Sequence, residues 1–364
     1  MTKELNLLIV EDDKIQIQTY SDQIEFFMEE NQDIKIISHV YSNVEEGFAA
    51  LSNPIYDAAI IDLKLSPGDK SGEGNQIIKQ IKDNLRFPVT VMSGYPQDLD
   101  AEFQEGHPFI KVYNKDDNLQ EIISEIVKIY KVGITNILGK KGKIEEYINN
   151  IFWNHLSKNI EFWSEHTEKA VDVEKILLRY TLSHLQEYLD LSDTQEEFEQ
   201  YFPVEMYVIP PIKKHPFTGD IINKDNKYWI ILNPSCDMAQ CKAKSVVIAE
   251  IESINMPYVE GLKRAIQQGN EQAQPSKDIL GKLLTNSGSL KYHFLPSSFE
   301  FPGGFINFQK LVSVKYKDIV ADYERVASIS DRFSKEIIAR FSHYYARQGQ
   351  PDFDIDSLLD KILM

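Results

Sequence analysis

Five polar residues in the first third of the chain stand at or just past the ends of short apolar runs: Asp12, Asp13, Asp62, Ser93 and Lys115. Apolar runs of this length are typical of buried strands in a parallel sheet. The carboxyl ends of such strands meet at one edge of the sheet, where open α/β folds bind their ligands. Three acids, a hydroxyl and a lysine at one edge could hold Mg²⁺ and move a phosphoryl group.

Clustered carboxylates repel one another and are difficult to keep ionised unless a cation joins them. A hard divalent ion with oxygen ligands, Mg²⁺ above all, removes this conflict. An aspartate beside bound Mg²⁺ can act as a nucleophile and become an aspartyl phosphate. The new phosphoryl oxygens then need a hydroxyl donor and a cation, which Ser93 and Lys115 would supply.

Strand and helix patterns alternate from residue 5 to about residue 131. This alternation predicts an α/β fold in which helices cover both faces of a parallel sheet, the flavodoxin-like, doubly wound architecture with right-handed crossovers. The five expected strands are residues 5–10, 34–41, 58–63, 89–92 and 109–113. The expected helices are residues 14–29, 44–51, 75–84 and 119–130.

The same region resembles the receiver domain of two-component response regulators. The resemblance covers about residues 4–131 and is carried by the segments LLIVEDD, AAIIDL, VTVMSG and FIKVYNKDD. It implies that Asp62 accepts a phosphoryl group from a sensor histidine kinase, and that Ser93 and Lys115 bind that group and act as the switch. It also implies a Mg²⁺ site formed by Asp12, Asp13, Asp62 and the backbone carbonyl of Lys64.

Three features depart from the usual receiver pattern. The loop after Asp62 reads LKLSPGDKSGEGNQ and is longer than the usual turn, and Asp116 follows Lys115 where receivers usually have proline. Val112 stands where many receivers have a switch aromatic, and the adjacent Tyr113 faces the other side of its strand. The acid pocket is unaffected by the first two departures, whereas the third predicts a different route for the signal.

The composition of the 364-residue chain sets limits on its function class. Its length suggests two or three domains. The net charge of −17 disfavours DNA as a partner. We expect no membrane association, because no run approaches ~18 apolar residues and the N-terminus lacks the features of a secretory signal. Two cysteines make no disulfide framework, which favours a cytoplasmic location.

The rest of the chain divides into a helical connector and an output domain, so that the predicted domains are residues 1–131, 132–195 and 196–364. Amphipathic stripes in the connector are consistent with a signalling helix, a homodimer seam or a brace on the next domain. Short β-rich runs in the last region predict an α+β domain with a small β-barrel. Its expected strands are residues 206–209, 228–232, 245–251, 290–295 and 305–314.

A Ser-Cys-Asp turn distinguishes the last region. The segments WIILNPSCDMAQCKAKSVVIAEI, HFLPSSFEFPGGFINFQKLVSV and RFSHYYARQGQPDFD resemble a poorly characterised bacterial family with SH3-like barrels. Cys236 could be a nucleophile activated by His215 or His293, or these three residues could bind Zn²⁺ with Cys241. The favoured alternative is a structural turn with Cys236 buried and Asp237 capping backbone amides.

The sequence as a whole therefore predicts a response regulator that accepts a phosphoryl group on Asp62 and controls an output domain that does not bind DNA. Two other functions remain open at this stage. The output domain could be a hydrolase or nuclease that uses the region of Cys236 and Asp237 and is gated by the receiver. The chain could instead be a scaffold for protein interactions.

Overall fold

The computed structural model divides the chain into two compact units, Met1–Glu197 and Phe198–Met364. It describes residues 2–65, 73–104, 106–167, 172–189, 200–240, 242–269, 271–348 and 352–363. Cys241 and half of the long loop predicted after Asp62 lie outside the described residues. The domain boundaries expected at residues 131 and 195 stay predictions.

The first unit contains a five-stranded, all-parallel sheet with the strand order β2-β1-β3-β4-β5, which confirms the flavodoxin-like prediction. Every residue of β3 and β4 is buried, as expected for central strands with both faces covered. The strands are β1 (Lys3–Val10), β2 (Ile34–Tyr41), β3 (Ala58–Ile61), β4 (Val89–Met92) and β5 (Ile110–Tyr113).

Alternate residues of β1 enter two separate cores, one on each face of the sheet. Leu8 and Val10 pack with apolar residues of α3, and Leu7 and Ile9 pack with those of α1 and α5. The helices are α1 (Lys14–Glu30), α2 (Val44–Ala50), α3 (Glu73–Asn84), α4 (Ala101–Gln104) and α5 (Leu119–Lys131). Helices therefore cover both faces of the sheet.

Four further helices follow α5 within the first unit, namely α6 (Ile134–Leu138), α7 (Lys143–Ile151), α8 (Ile160–Thr167) and α9 (Val173–Leu189). A π-helical turn over Phe152–Leu156 follows α7 directly. The rings of Tyr147 on α7 and Tyr188 on α9 stack with centroids 5.1 Å apart. The amphipathic stripe of α9 includes Leu178, Leu182 and Leu189, and these three side chains retain 55–61% of their accessible surface.

The second unit is an α+β domain with a seven-stranded antiparallel sheet in the order β10-β11-β9-β8-β7-β12-β6. Its strands are β6 (Tyr207–Val208), β7 (Asp220–Lys224), β8 (Lys227–Ile231), β9 (Ser245–Glu252), β10 (Tyr292–Leu295), β11 (Gly304–Lys315) and β12 (Glu324–Ile329). Hydrogen bonds join each strand to the next in this order, from β10 at one end to β6 at the other. That this domain is an SH3-like barrel remains a prediction from the resemblance.

The helices of the second unit are α10 (Ser235–Ala239), α11 (Pro257–Gln268), α12 (Ala273–Leu284), α13 (Tyr316–Asp322), α14 (Asp331–Ala346) and α15 (Ile355–Leu363). The structure ends α11 at Gln268, because Gly269 adopts the left-handed conformation (φ 63°) that terminates a helix. Within the described ranges, every helix is too short or too polar to cross a bilayer.

Candidate functional site

Strand register brings three polar residues to the same edge of the parallel sheet. Ile61 pairs with Val10 on one side and with Val91 on the other. Glu11 follows Val10 and Asp62 follows Ile61, so two acids leave adjacent strands side by side. Ser93 directly follows Met92, the last residue of β4, and its side chain is buried.

Lys115 joins this group from the loop that follows β5. Its Nζ atom lies 2.7 Å from Oδ2 of Asp62 and 2.9 Å from the carboxylate of Glu11. Both acids are buried: Asp62 is 5% exposed and Glu11 is fully inaccessible. Each needs a charged or hydrogen-bonded partner, because an isolated buried carboxylate is strongly destabilising.

A group of three carboxylates surrounds the contact made by Lys115. Glu11, Asp12 and Asp62 each offer one oxygen atom within 4.8 Å of the other two. Opposite ligands of Mg²⁺ lie about 4.2 Å apart, since each sits 2.0–2.1 Å from the ion. The all-oxygen donor set therefore suits a hard divalent cation, after a small adjustment of the side chains. Among the residues that the structure describes, this is the one group of three or more such side chains.

Asp13, which the sequence analysis placed in the metal site, has a different position. Its side chain caps α1, and Oδ1 accepts a hydrogen bond from the amide of Ile15 at 2.8 Å. The carboxylate of Asp13 lies outside the group of three, which contains that of Glu11. The strand ends indicate which residues belong together, because Glu11, Asp62 and Ser93 each directly follow the last residue of a strand.

Opposing effects act on the protonation of Glu11 and Lys115. Burial raises the pKa of Glu11, and the nearby charge of Asp62 adds to the increase, although Lys115 opposes it. Burial alone would lower the pKa of Lys115, but its hydrogen bonds to Asp62 and Glu11 outweigh burial and raise it. Lys115 is consequently held in its charged form. One ammonium group then faces three carboxyl groups, which leaves room for a further cation.

Gly74 allows the start of α3 to approach the backbone of Asp62. A Cβ atom at residue 74 would lie 2.1 Å from the carbonyl oxygen of Asp62 and 2.7 Å from Cα of Leu63. The amide of Gly74 donates a hydrogen bond to the carbonyl of Leu63 at 3.1 Å. A side chain at this position would therefore displace the backbone that carries Asp62.

The loop after β4 is connected to the site through Ser93 and Lys64. The amide of Tyr95 donates to Oγ of Ser93 at 3.2 Å. The Lys64 ammonium forms an ion pair with Asp98 at 2.9 Å and lies 3.6 Å from the centroid of the Tyr95 ring. These contacts link the residues that follow β3 and β4 to this loop. The expected role of the Lys64 carbonyl as a metal ligand stays a prediction.

The neighbouring residues Val112 and Tyr113 on β5 differ in their contacts. Val112 is 37% exposed on β5. Tyr113 packs against the core that contains α5, and its hydroxyl donates a hydrogen bond to Glu125. The aromatic residue closest in sequence to Ser93 is Tyr95, which is 52% exposed.

The Ser-Cys-Asp segment forms the short helix α10 in the second unit. Met238 is the residue of this helix that enters the core, whereas Cys236 is exposed. The expectation of a buried Cys236 was therefore wrong, because the side chain two positions later fills the apolar space instead. Sγ of Cys236 lies 3.8 Å from Oδ1 of Asp237. The helix begins after Pro234 without a cap from a side chain, so the expected capping by Asp237 is not observed in the described part of the chain.

The two histidines proposed as partners of Cys236 have separate surroundings. His215 is exposed between β6 and β7. His293 is buried on β10, with Nδ1 2.9 Å from Oε2 of Glu336 and Nε2 3.4 Å from Nδ2 of Asn286. The described residues therefore contain neither a Cys236–histidine hydrogen bond nor a cluster that would hold Zn²⁺ at this segment. Cys241, the fourth ligand of the zinc hypothesis, lies outside the described residues.

No protein-family model matches the sequence, and no curated protein matches it. Solved structures of receiver domains match the N-terminal third of the chain. A CheY-like receiver domain from Methylobacillus flagellatus is 23% identical over 34% of this chain and 99% of its own, with a TM-score of 0.27. A CheY-like receiver domain from Methanospirillum hungatei JF-1 is 22% identical over 36% of this chain and 100% of its own, with a TM-score of 0.27.

A third match is one domain of a larger protein. The N-terminal domain of a response regulator/sensory box/GGDEF three-domain protein from Carboxydothermus hydrogenoformans is 19% identical over 35% of this chain and 98% of its own, with a TM-score of 0.29. Each of these three proteins is similar to the N-terminal part of the chain, and none of them covers the second unit. Their similarity is one of fold.

Proposed function

We propose that the chain is a response regulator whose Asp62 accepts a phosphoryl group in a Mg²⁺-dependent reaction. The observation that carries this proposal is the contact of Lys115 with both Asp62 and Glu11, beside a third carboxylate from Asp12. A buried carboxylate with a lysine on one side and further acids on the other is equipped for phosphoryl chemistry. A structural ion pair alone would not require three acids at one strand edge.

The proposed step transfers a phosphoryl group from a histidine of a sensor kinase to Asp62. A carboxylate oxygen of Asp62 forms a bond to phosphorus, while the bond from phosphorus to the histidine nitrogen breaks. The electron pair remains on that nitrogen, which then takes up a proton. Bound Mg²⁺ would neutralise charge on the phosphoryl oxygens. Lys115 would then move its contact from the Asp62 carboxylate to the phosphoryl group, and the Ser93 hydroxyl would donate a hydrogen bond to it.

The signal would leave the site through the loop after β4. A phosphoryl group that engages Ser93 would alter the contact between Oγ and the amide of Tyr95. The ammonium of Lys64, held between Asp98 and the Tyr95 ring, would respond to the same change of charge. Tyr95 is therefore our candidate for the switch residue, in place of Val112. Such a switch would shift the population of two loop conformations.

The output is proposed to be the action of the second unit on a partner other than DNA, in the cytoplasm. The net charge of −17 supports this proposal, because binding to a phosphate backbone depends on neutralising positive charge. The exposed leucine stripe of α9 would be available for a homodimer.

Incubation of the full chain with acetyl phosphate and Mg²⁺ tests the proposal. Intact-mass analysis should find one added phosphoryl group in the wild type and none in Asp62→Asn. Asp13→Asn is the matched control, because it removes a nearby exposed carboxylate from the helix cap and should leave the modification unchanged. A wild type that stays unmodified, or an Asp62→Asn variant modified to the same extent, would contradict the assignment.

A further inference from the structure

Helix α9 has two apolar faces, and neighbouring helices of the same unit occupy the first. The ring centroid of His184 lies 4.9 Å from that of His155 in the π-helical turn, and that of Tyr180 lies 5.4 Å from that of Trp163 on α8. Tyr188, one turn further along, stacks on α7. Positions 180, 184 and 188 follow one another at intervals of four residues, so they belong to one side of the helix.

The second apolar face of α9 is exposed and has the spacing of a coiled-coil seam. Leu178, Leu182, Leu185 and Leu189 are separated by four, three and four residues. This is the spacing of the d and a positions of two successive heptads. Leu185 is partly exposed, and the other three leucines are more than half exposed. A partner helix with the same spacing would remove their apolar surface from water.

Two oppositely charged residues flank this seam. In the heptad that the leucines define, Glu174 occupies a g position and Arg179 an e position, on opposite sides of the seam. Both side chains are exposed, and neither forms an ion pair with another residue in the described part of the chain. They lie five residues apart, about 140° around the helix axis, so they do not face each other on one helix.

A second copy of the chain would supply the missing partner for both charges. In a parallel, in-register pair of helices, a g residue faces the e residue five positions later on the other helix. Glu174 of each copy would then face Arg179 of the other, and Thr181 would face Gln186, so no like charges meet. In an antiparallel pair, e residues face e residues, and Arg179 would face the neutral Gln186. The charges therefore favour the parallel arrangement.

We propose that α9 forms a parallel, two-stranded coiled coil with α9 of a second copy of this chain. The four leucines pack in the seam, and Glu174 of each copy forms an ion pair with Arg179 of the other. This inference rests on the homodimer named in the proposed function and adds its surface, orientation and register. The pairing needs no phosphoryl group, so it is tested on the unmodified full chain. Its failure would leave phosphorylation of Asp62 unaffected.

Sedimentation equilibrium of the full chain measures the pairing. The mass of the wild type should approach that of two chains as the concentration rises. Leu182→Glu should weaken dimerisation by at least about a hundredfold, because it would bury a charge in the middle of the seam. Leu182 is exposed in the single chain, so circular dichroism should find a folded variant. Leu359→Glu on α15 is the matched control, because Leu359 is a similarly exposed leucine outside α9, and it should dimerise as the wild type does.

Exchange of the two charges tests the orientation and the register. Glu174→Arg and Arg179→Glu should each weaken dimerisation by at least about fivefold, because each creates two like-charge contacts in the symmetric pair. The double variant should recover an affinity within about threefold of the wild type. Because the two positions do not face each other on one helix, this recovery requires a contact between copies.

Three results would overturn the proposal. The first is a wild-type chain that stays monomeric up to its solubility limit, which would assign the leucines to a contact within the chain or to a different protein. The second is a dimer that persists in a folded Leu182→Glu variant, which would place the interface outside α9, and on α15 if Leu359→Glu abolishes it. The third is a double charge-exchange variant that dimerises no better than the single variants, which would exclude the parallel register.

Discussion

The Nζ atom of Lys115 lies 2.7 Å from Oδ2 of Asp62, and the same ammonium group contacts Glu11. The lysine is therefore bound to the proposed acceptor before any phosphoryl group arrives. Its positive charge stabilises two buried carboxylates in the resting protein. The same charge opposes the binding of a divalent cation, so stability and metal affinity should respond in opposite directions when it is removed.

Replacement of Lys115 by methionine tests this opposition. Without divalent ions, Lys115→Met should lower the free energy of unfolding of the first unit by about 1–3 kcal/mol, because two buried carboxylates lose their partner. Mg²⁺ should bind more tightly than in the wild type, since the site loses a positive charge. Chemical denaturation with and without Mg²⁺ measures both effects.

Lys35→Met is the control variant, because it also removes a lysine from an ion pair, but from one on the surface. The pair between Lys35 and Glu4 is more than half exposed on both sides, so its loss should change stability by less than about 0.5 kcal/mol. If Lys115→Met resembled Lys35→Met in both stability and Mg²⁺ affinity, Lys115 would neither stabilise the two buried carboxylates nor oppose Mg²⁺ binding, and the prediction would be wrong.

Substitutions of Glu11 and Asp13 distinguish two possible metal sites. Glu11→Gln should weaken Mg²⁺ binding by about tenfold or more, equivalent to about 1.4 kcal/mol, because it removes a charged ligand from the group of three. Asp13→Asn should leave Mg²⁺ affinity within about twofold, and it should preserve helix α1 because asparagine caps helices as well as aspartate does. Calorimetric titration with Mg²⁺ would measure both affinities. Tighter binding by Glu11→Gln than by Asp13→Asn would instead favour the pair Asp12 and Asp13.

The parallel sheet could be predicted because its strands are short apolar runs separated by amphipathic helices. The choice between Glu11 and Asp13 depended on the last residue of β1, and a shift of a single residue changes which acid faces the site. In the second unit, the strands β7 and β12 were missed. The first of them, β7, pairs with β8. The sequence does contain a signal for its hairpin with β8, because Asp225 and Asn226 are residue types that tolerate positive φ. Both adopt it in the structure (54° and 59°), as a two-residue hairpin turn requires.

Contacts between distant residues were less accessible to sequence analysis. The partner of the buried His293 is Glu336, which lies on α14 far along the chain. Such a pairing depends on how helices pack on the sheet, and no local pattern encodes it. The exposure of Cys236 has the same origin, because the position of Met238 in the core decides which face of α10 is buried.

A glycine substitution tests how closely α3 must approach the proposed acceptor. Gly74→Ala would place Cβ 2.1 Å from a backbone oxygen, so the backbone at Asp62 must move. We expect a loss of about 1–3 kcal/mol in the free energy of unfolding of the first unit. Phosphorylation by acetyl phosphate should slow by about tenfold or more, because displacement of the nucleophile impairs its alignment. Denaturation curves and the rate of mass increase provide the two measurements.

Gly281→Ala is the matched control for Gly74→Ala. Gly281 lies within helix α12 and has no atom within 4 Å of an added Cβ. Alanine there should stabilise the helix by up to about 1 kcal/mol and leave phosphorylation unchanged. Equal effects of the two substitutions on either measurement would disprove a special role for the approach at Gly74.

The contact between Glu336 and His293 should make the second unit sensitive to acid. The hydrogen bond from His293 lowers the pKa of Glu336 below its usual value of 4.5, and Arg340 contributes in the same direction. A carboxyl group with a lowered pKa in the folded state favours folding when it is ionised. Its contribution is fully present above pH 4.5 and is lost as the pH falls through the lowered pKa. Protection of α14 amides from hydrogen exchange, corrected for the intrinsic rate, should therefore fall below pH 4.5.

Glu336→Gln should remove this pH dependence, because glutamine cannot titrate. The variant should have lower protection of α14 than the wild type at pH 6, and the difference between the two proteins should shrink as the pH falls below 4.5. Glu260→Gln on α11 removes a carboxylate from a local ion pair with Lys263 and should keep the wild-type pH profile of α14. If the Glu336→Gln variant lost protection in acid as steeply as the wild type, another carboxyl group would have to control the acid response of this unit.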